Sequence, residues 1–546
     1  MSSHDLPSLK GAKPIDPSVA LKHPRAPIAP SEETVSMQTW LAVIASTIGA
    51  FLAILNIQVV NSSLADIQGA IGAGIDTGGW ISTAYLISEI IVIPLAGWFA
   101  QIFSLRTYLL VSGALFLVFS VTCAAAGSLP EMIALRAFQG FFGGVLIPMS
   151  FTIIMTKLPR AKQPIGLALF AFSATFAPAI GPTIGGWLND NFGWEYIFYV
   201  NLIPGAIMLA MLWISLEKAP MQLGLLKTGD WPGIATMAVG LAALQTMLEE
   251  GNRNDWFGSR MIVWLAITAA VALSAFLWIE LKSKSPLVNL RLLGDRNFGL
   301  GTVSAALLGV LLYGTVFVVP LYLSQTQGYN AMQIGEVLAW TGLPQLLIIP
   351  FVPALMKRVD ARVIVAVGFG LFALSNFLNI HLTRLVAADE LLVPNIIRAV
   401  GQALLLTPIT ALATARIAPK DAASASALFN MMRNLGGAVG IAALQTFLTK
   451  REQFHSNVLT PSVSLLGEAT RQRISRLTDY FLSHGVSDPA TATHQAIIAV
   501  GRTVRTQATV MSYSDTFIVF GVSALIALVI CLFMKRPGAS QAAAAH

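Results

Sequence analysis

Charge is what this chain has least of. Asp, Glu, Lys and Arg together make up 11% of its 546 residues, where an ordinary soluble domain carries ~25%. So little charge cannot coat a water-exposed particle of this size. A soluble enzyme, a disordered chain and a nucleic-acid binder are excluded together. Cysteine is nearly absent as well. Cys123 and Cys531 lie far apart inside apolar runs, so neither a disulfide framework nor a metal site follows. The phosphate-cradling pattern GxxxxGK[ST] is missing, as are HExxH and GxSxG. ATP is therefore not expected as the energy source, and no enzyme signature stands out. A cleavable leader is not expected either. Residues 1–38 are polar, hold six prolines and precede a first apolar run near Trp40, which reads as a disordered cytoplasmic tail.

What the chain does have is apolar length. Hydrophobic residues make up 55% of it, and the mean hydropathy is +0.70. A helix needs ~20 mostly apolar residues to cross the hydrocarbon. Fourteen stretches meet that test, near 39–61, 78–100, 107–127, 130–153, 164–188, 194–216, 230–249, 261–281, 298–324, 333–354, 363–384, 392–415, 424–448 and 512–534. The basic residues orient them. With the N-terminus inside, 21 of the 34 Lys and Arg fall in cytoplasmic segments and three in short outer loops. That is the positive-inside bias, and it puts both termini in the cytoplasm. The formal charge of +7 needs no nucleic-acid partner.

The chain also repeats itself weakly. RAFQGFFGGVLIP begins at Arg136 in span 4, and RAVGQALLLTP begins at Arg398 in span 12. GPTIGG (181–186) in span 5 is echoed by NLGGAVG (434–440) in span 13. Parallel halves of six spans are a transporter plan with the substrate site at their interface. The expected architecture is all-α and polytopic, with 14 transmembrane helices arranged 6 + 2 + 6. Residues 39–216 form the first six-helix bundle and 217–297 a linker with two extra spans. Residues 298–534 form the second bundle, including an outer loop at 449–511, and 535–546 form a second cytoplasmic tail.

Several segments resemble the major facilitator superfamily, and within it the fourteen-span drug:proton antiporters of the EmrB/QacA type. They are LRAFQGFFGG (135–144), APAIGPTIGG (177–186), WEYIFYVNLIP (194–204), MLEEGNRNDWF (247–257) and ASALFNMMRNLGGAVG (425–440). The second resembles the antiporter motif of span 5. The resemblance implies proton-driven export of small lipophilic compounds from the cytoplasm or inner leaflet. It also implies no cofactor beyond the proton gradient and residence in a bacterial inner membrane. Gram-negative relatives are permeases of three-part pumps, which implies a periplasmic adaptor and an outer-membrane channel as partners. Two other readings stay open: a dedicated exporter of an endogenous metabolite such as a siderophore or fatty acid, and a membrane receptor that does not transport.

An ionisable group inside the bilayer is costly and marks function by default. Among the 27 acidic residues, Glu89 is the one near the middle of a span, ~16 Å below the outer end of span 2 at ~1.5 Å per residue. A carboxylate there either carries the coupled proton or is paired for folding. Arg136 and Asn56 share a depth of ~8–9 Å, so Arg136 is expected either to reach Glu89 or to anchor backbone carbonyls. Related proteins carry an acid where this chain has Asn56, which cannot titrate. Asn56, Gln139, Asn430 and Arg433 are candidate lining residues of the central cavity, and Arg398 and Arg433 are candidates to meet an anionic substrate or headgroup. Gly181, Pro182, Gly185 and Gly186 of the span 5 motif allow close backbone approach and a kink; the resemblance implies that this face seals the two halves. In the loop after span 2, Gly97 and Arg106 match the superfamily pattern, whereas Gln101 and Ser104 replace its acid and second glycine. His381 and Glu336 lie near outer span ends. In the outer loop, residues 466–483 have helical spacing, and Asp488-Pro489 reads as the cap and first residue of another helix. That hairpin is either an adaptor-docking surface or a lid.

Overall fold

Backbone in hydrocarbon finds no water for its amides, so each segment must close its hydrogen bonds within itself, as long helices do. The computed structural model describes residues 35–535 apart from 228, 284–285 and 419–420. Of the expected tails, residues 1–34 and 536–546 lie outside the described residues.

Among the described residues, thirteen helices are long and apolar enough to cross a membrane. They are α1 (Met37–Ser62), α2 (Trp80–Phe103), α3 (Leu105–Ala124), α4 (Leu129–Lys157), α5 (Gln163–Phe192), α6 (Tyr196–Ser215), α7 (Trp231–Glu250), α8 (Arg260–Lys282), α9 (Arg296–Gln327), α10 (Met332–Arg358), α11 (Ala361–Leu378), α12 (Ala388–Thr414) and, after two intervening helices, α15 (Pro489–Leu532). The intervening pair is α13 (Ala422–Leu459) and α14 (Glu468–Ser483). The expected span 424–448 therefore lies inside α13, a continuous helix of 38 residues. Asn430, Arg433 and Asn434 lower its apolarity, and protein rather than lipid surrounds the first two.

Packing groups the helices. In the N-terminal part α1 packs on α5 and α6, and α4 on α2 and α3; in the C-terminal part α9 packs on α13, and α11 on α12 and α15. Two seams join the groups: α5 against α10, and α2 with α4 against α13. On the second seam Ser426 donates to the Pro148 carbonyl at 2.9 Å, and Gly97 faces the Cβ of Ala423. The extra helix α7 lies against both α2 and α13. Its Trp231 meets Trp98 edge-on at 5.6 Å, and Trp256, just beyond its outer end, donates to Thr446 at 2.7 Å. By contrast α8 packs mainly on α7 and exposes Trp264, Val271 and Trp278.

The sequence repeat has a structural counterpart. Helix α4 is interrupted at Val145 between its Arg136 segment and Pro148, and α12 at Leu404 and Leu405 between Arg398 and Pro408. Proline removes a helix hydrogen bond at each place.

Two glycines of the span 5 motif, Gly181 and Gly185, have a different neighbour from the one the resemblance implies. Gly181 lies against Gln58, and Gly185 against Ser62 and Val59, all on α1 of the same group. The face of α5 turned to the other half carries Ala179 and Thr183, which meet Gly342 and Gly335 of α10. Pro182 and Gly186 are buried beside them. Periodicity identifies a smooth face but not which helix covers it.

Past the apolar stretches, α14 packs along the N-terminal part of α15. Asp488 caps α15 by accepting from the Ala490 and Thr491 amides. Arg451 and His455 on the extension of α13 both reach Asp515 at 2.6 Å and hold α15 to it.

Ser104 stands where the superfamily pattern has glycine, and its φ is 65° with ψ 144°. That region is nearly reserved for glycine, and a side chain there stores ~1–3 kcal/mol of strain. Ser104→Gly is expected to relieve ~1 kcal/mol of it and raise the melting temperature of detergent-solubilised protein. A lower melting temperature would mean that the Ser104 cap on Thr107 at 3.4 Å outweighs the strain.

Candidate functional site

The N-terminal helices are tied together by one buried cation. Arg136 on α4 is 1% exposed. It donates to the Ile81 carbonyl on α2 at 3.2 Å, to Asn56 Oδ1 on α1 at 2.5 Å and to Gln139 Oε1 at 2.6 Å. Gln139 passes the network on to Ser120 of α3 at 3.1 Å, which Asn201 of α6 also reaches at 2.9 Å. The Tyr85 ring lies 4.3 Å from the guanidinium carbon. The expected partnership between Arg136 and Glu89 is not a contact, since the bonds of Arg136 go to neutral acceptors. Asn56 supplies one of them, which explains how a residue that cannot titrate serves at this place.

Glu89 on α2 is 3% exposed, and Gly144 of α4 gives it room, since a Cβ there would lie 3.0 Å from the Glu89 backbone. Its Oε1 accepts a long hydrogen bond from Asn434 Nδ2 of α13 at 3.4 Å. Asn434 Oδ1 in turn lies 3.5 Å from the Tyr313 hydroxyl of α9. These groups face a cavity of ≈ 80 Å³ that Gln58 and Asn61 of α1 and Gln245 and Glu249 of α7 also line. Gln245 donates to Glu249 at 3.0 Å. Five helices meet here, from both halves and the linker. Sequence reasoning missed Asn434, Tyr313, Gln245 and Glu249. The available signal was the i, i+4 pair Gln245/Glu249 on one face of an otherwise apolar span.

The C-terminal half contributes two further buried cations. Arg398 donates to Asn395 at 2.9 Å. Arg433 is 1% exposed, and its Nε, Nη1 and Nη2 have no hydrogen-bond partner. The Phe170 ring lies 5.7 Å from it. Asn430, one turn earlier, donates to the Ser426 carbonyl at 2.9 Å, and its Oδ1 has no partner. The remaining candidates lie elsewhere. Arg106 stacks over Trp213 of α6 at 4.7 Å, and Glu336 and His381 are exposed.

Two bundles of helices meeting around buried charges are a transporter geometry, and the comparison with known families agrees. The sequence profile of the Major Facilitator Superfamily matches residues 46–441. The chain belongs to the major facilitator superfamily. It is a multi-pass membrane transporter rather than an enzyme, and within the superfamily it is EmrB-like. It is similar to the colistin resistance protein EmrB of Acinetobacter baumannii, 31% identical over 91% of this chain and 96% of that one. It is also similar to the fatty acid resistance protein FarB of Neisseria gonorrhoeae, 28% identical over 90% and 95% of the two chains. The multidrug export protein EmrB of Escherichia coli K12 is 28% identical over 92% and 96%. Among solved structures, the human organic anion transporter MFSD10 shares the superfamily fold at a TM-score of 0.53 and 13% identity, over 89% of this chain and 99% of that one.

In a major facilitator bundle held this way, Asn56 should matter for stability. A hydrogen bond to a charged group contributes ~1.5–3 kcal/mol. Asn56→Leu is expected to lose about that much in reversible unfolding, whereas Asn56→Asp keeps an acceptor for Arg136 and loses less. Equal losses in both variants would show that the guanidinium does not depend on this partner.

Proposed function

We propose that this protein exports lipophilic or amphiphilic compounds across the inner membrane in exchange for protons, by alternating access. Both termini face the cytoplasm in this reading, and the proton gradient is the energy source, with no cofactor. The observation that carries it is Glu89. Among the described residues it is the buried carboxylate at mid-span, and its one polar contact crosses from α2 to α13. Rocking the two halves must break that contact. Protonation of Glu89 removes the charge that Asn434 donates to, and so favours separation. Proton and conformation are thereby coupled through a single bond. Glu249, at the outer end of α7 and in the same cavity, offers the proton a way in from outside.

The relatives support the substrate side of this reading. Their names include multidrug export and resistance to colistin and to fatty acids. We assign the protein to a three-part pump as its permease, with the α14–α15 hairpin as the surface for a periplasmic adaptor. The hairpin exposes Leu482, Ile497 and Ile498 beside Arg471 and Arg502, an apolar and basic mixture suited to another protein.

Inside-out vesicles with an acid interior and a pH-sensitive dye test the exchange. Added lipophilic substrates are expected to release protons from wild-type vesicles and not from Glu89→Gln vesicles at matched expression. Glu249→Gln should slow the release several-fold, and the neighbouring Glu250→Gln should leave it near wild type. Equal signals from wild type and Glu89→Gln would remove Glu89 from the coupling path.

A further inference from the structure

Three guanidinium groups lie buried in the helices, those of Arg136, Arg398 and Arg433. Arg136 places donors on Ile81, Asn56 and Gln139, and Arg398 donates from Nη2 to Asn395 while its Nε has no partner. Arg433 differs, because all three of its nitrogens are buried without a partner. A planar guanidinium held in low dielectric with no acceptor is strongly disfavoured. A chain that keeps one gains from an acceptor that arrives from elsewhere. Glu89 accepts from Asn434, the next residue along α13, and forms no ion pair with Arg433.

The surroundings of Arg433 say what the arriving acceptor is attached to. Phe170 of α5 faces the guanidinium at 5.7 Å. Phe170 packs edge-on against Phe151 of α4 at 5.9 Å, and Phe151 lies 6.1 Å from Phe429 of α13. The aromatic wall thus spans both halves, beside a fork of donors whose geometry matches a carboxylate. Charge points the same way. At mid-span the cations Arg136, Arg398 and Arg433 stand against Glu89, while Glu249, Glu250 and Glu280 lie near helix ends, so close to Arg433 an anionic ligand is favoured over a cationic one.

We propose that Arg433 is the headgroup receptor of the transport site, and that its ligands are amphipathic anions: a carboxylate or similar small anion on an apolar body. The assignment rests on the export reading and names its substrate class. Lipophilic cations are disfavoured at this site, although they are common targets for a drug exporter. The anion is recognised by the Arg433 fork, and the apolar body lies along Phe170, Phe151 and Phe429 once the halves part.

Length-matched competitors isolate the headgroup. Radiolabelled dodecanoate is bound to the purified full chain in neutral detergent, without a pH gradient. It is then displaced by unlabelled dodecanoate, dodecanol, dodecyltrimethylammonium or phosphatidylglycerol. Wild type is expected to prefer dodecanoate over dodecanol and over the cation by ~10-fold or more, the size of a charge-assisted interaction. Arg433→Gln should lose that preference, and Arg433→Lys should recover part of it. Equal displacement by the cation, or an unchanged preference in Arg433→Gln, overturns the proposal. Stronger displacement by phosphatidylglycerol than by dodecanoate assigns Arg433 to a lipid headgroup and overturns the substrate class. If Arg433→Gln does not elute as a single species, the wild-type ranking alone decides. Because no gradient is present, anion binding without proton release in vesicles would remove the coupling reading and leave this one standing.

Discussion

A guanidinium surrounded by hydrocarbon can place its donors only on the protein, and that constraint organises the N-terminal half. Arg136 draws a carbonyl from α2, an amide from α1 and a glutamine of its own helix toward one point. Ser120 and Asn201 extend the arrangement to α3 and α6. Helices of Leu, Ile and Ala gain little specificity from apolar packing, since lipid tails are as apolar as their side chains. Directional bonds to a buried charge are what select one arrangement of these helices over others. The other half keeps a thinner version around Arg398, and Arg433 makes no such bond.

The seam between the halves is built differently. It relies on small residues and single polar bonds: Ser426 to Pro148, Gly97 at Ala423, Gly335 at Thr183. Such contacts form and break without exposing large apolar areas. The bond from Asn434 to Glu89 belongs to this class and is the long one, at 3.4 Å. A transporter needs rigid halves and a weak seam, and the distribution of polar groups provides both.

Much of this was legible in the sequence. Apolar run length locates most of the helices, and depth counting singles out Glu89, Arg136 and Asn56. The gaps have physical causes. Arg136 and Asn56 share a depth and Glu89 lies deeper, but depth does not say which of the two an arginine chooses. A cavity assembled from five helices leaves no pattern in any one of them, so Asn434 and Tyr313 went unnoticed. Glu249 sits at the end of an apolar run, where sequence alone cannot separate a solvated acid from a buried one; the packing of α7 on α2 and α13 turns one of its faces inward. The glycines of α5 advertise close packing whichever helix provides it. In α13 the polar residues that weaken the hydropathy signal are the ones that face the site.

The continuity of α13 has a mechanical meaning. One unbroken helix touches Gly97 at its start, Glu89 through Asn434 in its middle, and Asp515 through Arg451 and His455 near its far end. From Asn434 to His455 is ~30 Å at 1.5 Å per residue. A rod of that length works as a lever arm: a tilt of ~5° about Asn434 moves its outer end by ~3 Å. Because the α14–α15 hairpin is pinned to that end, a shift at Glu89 reaches the hairpin enlarged.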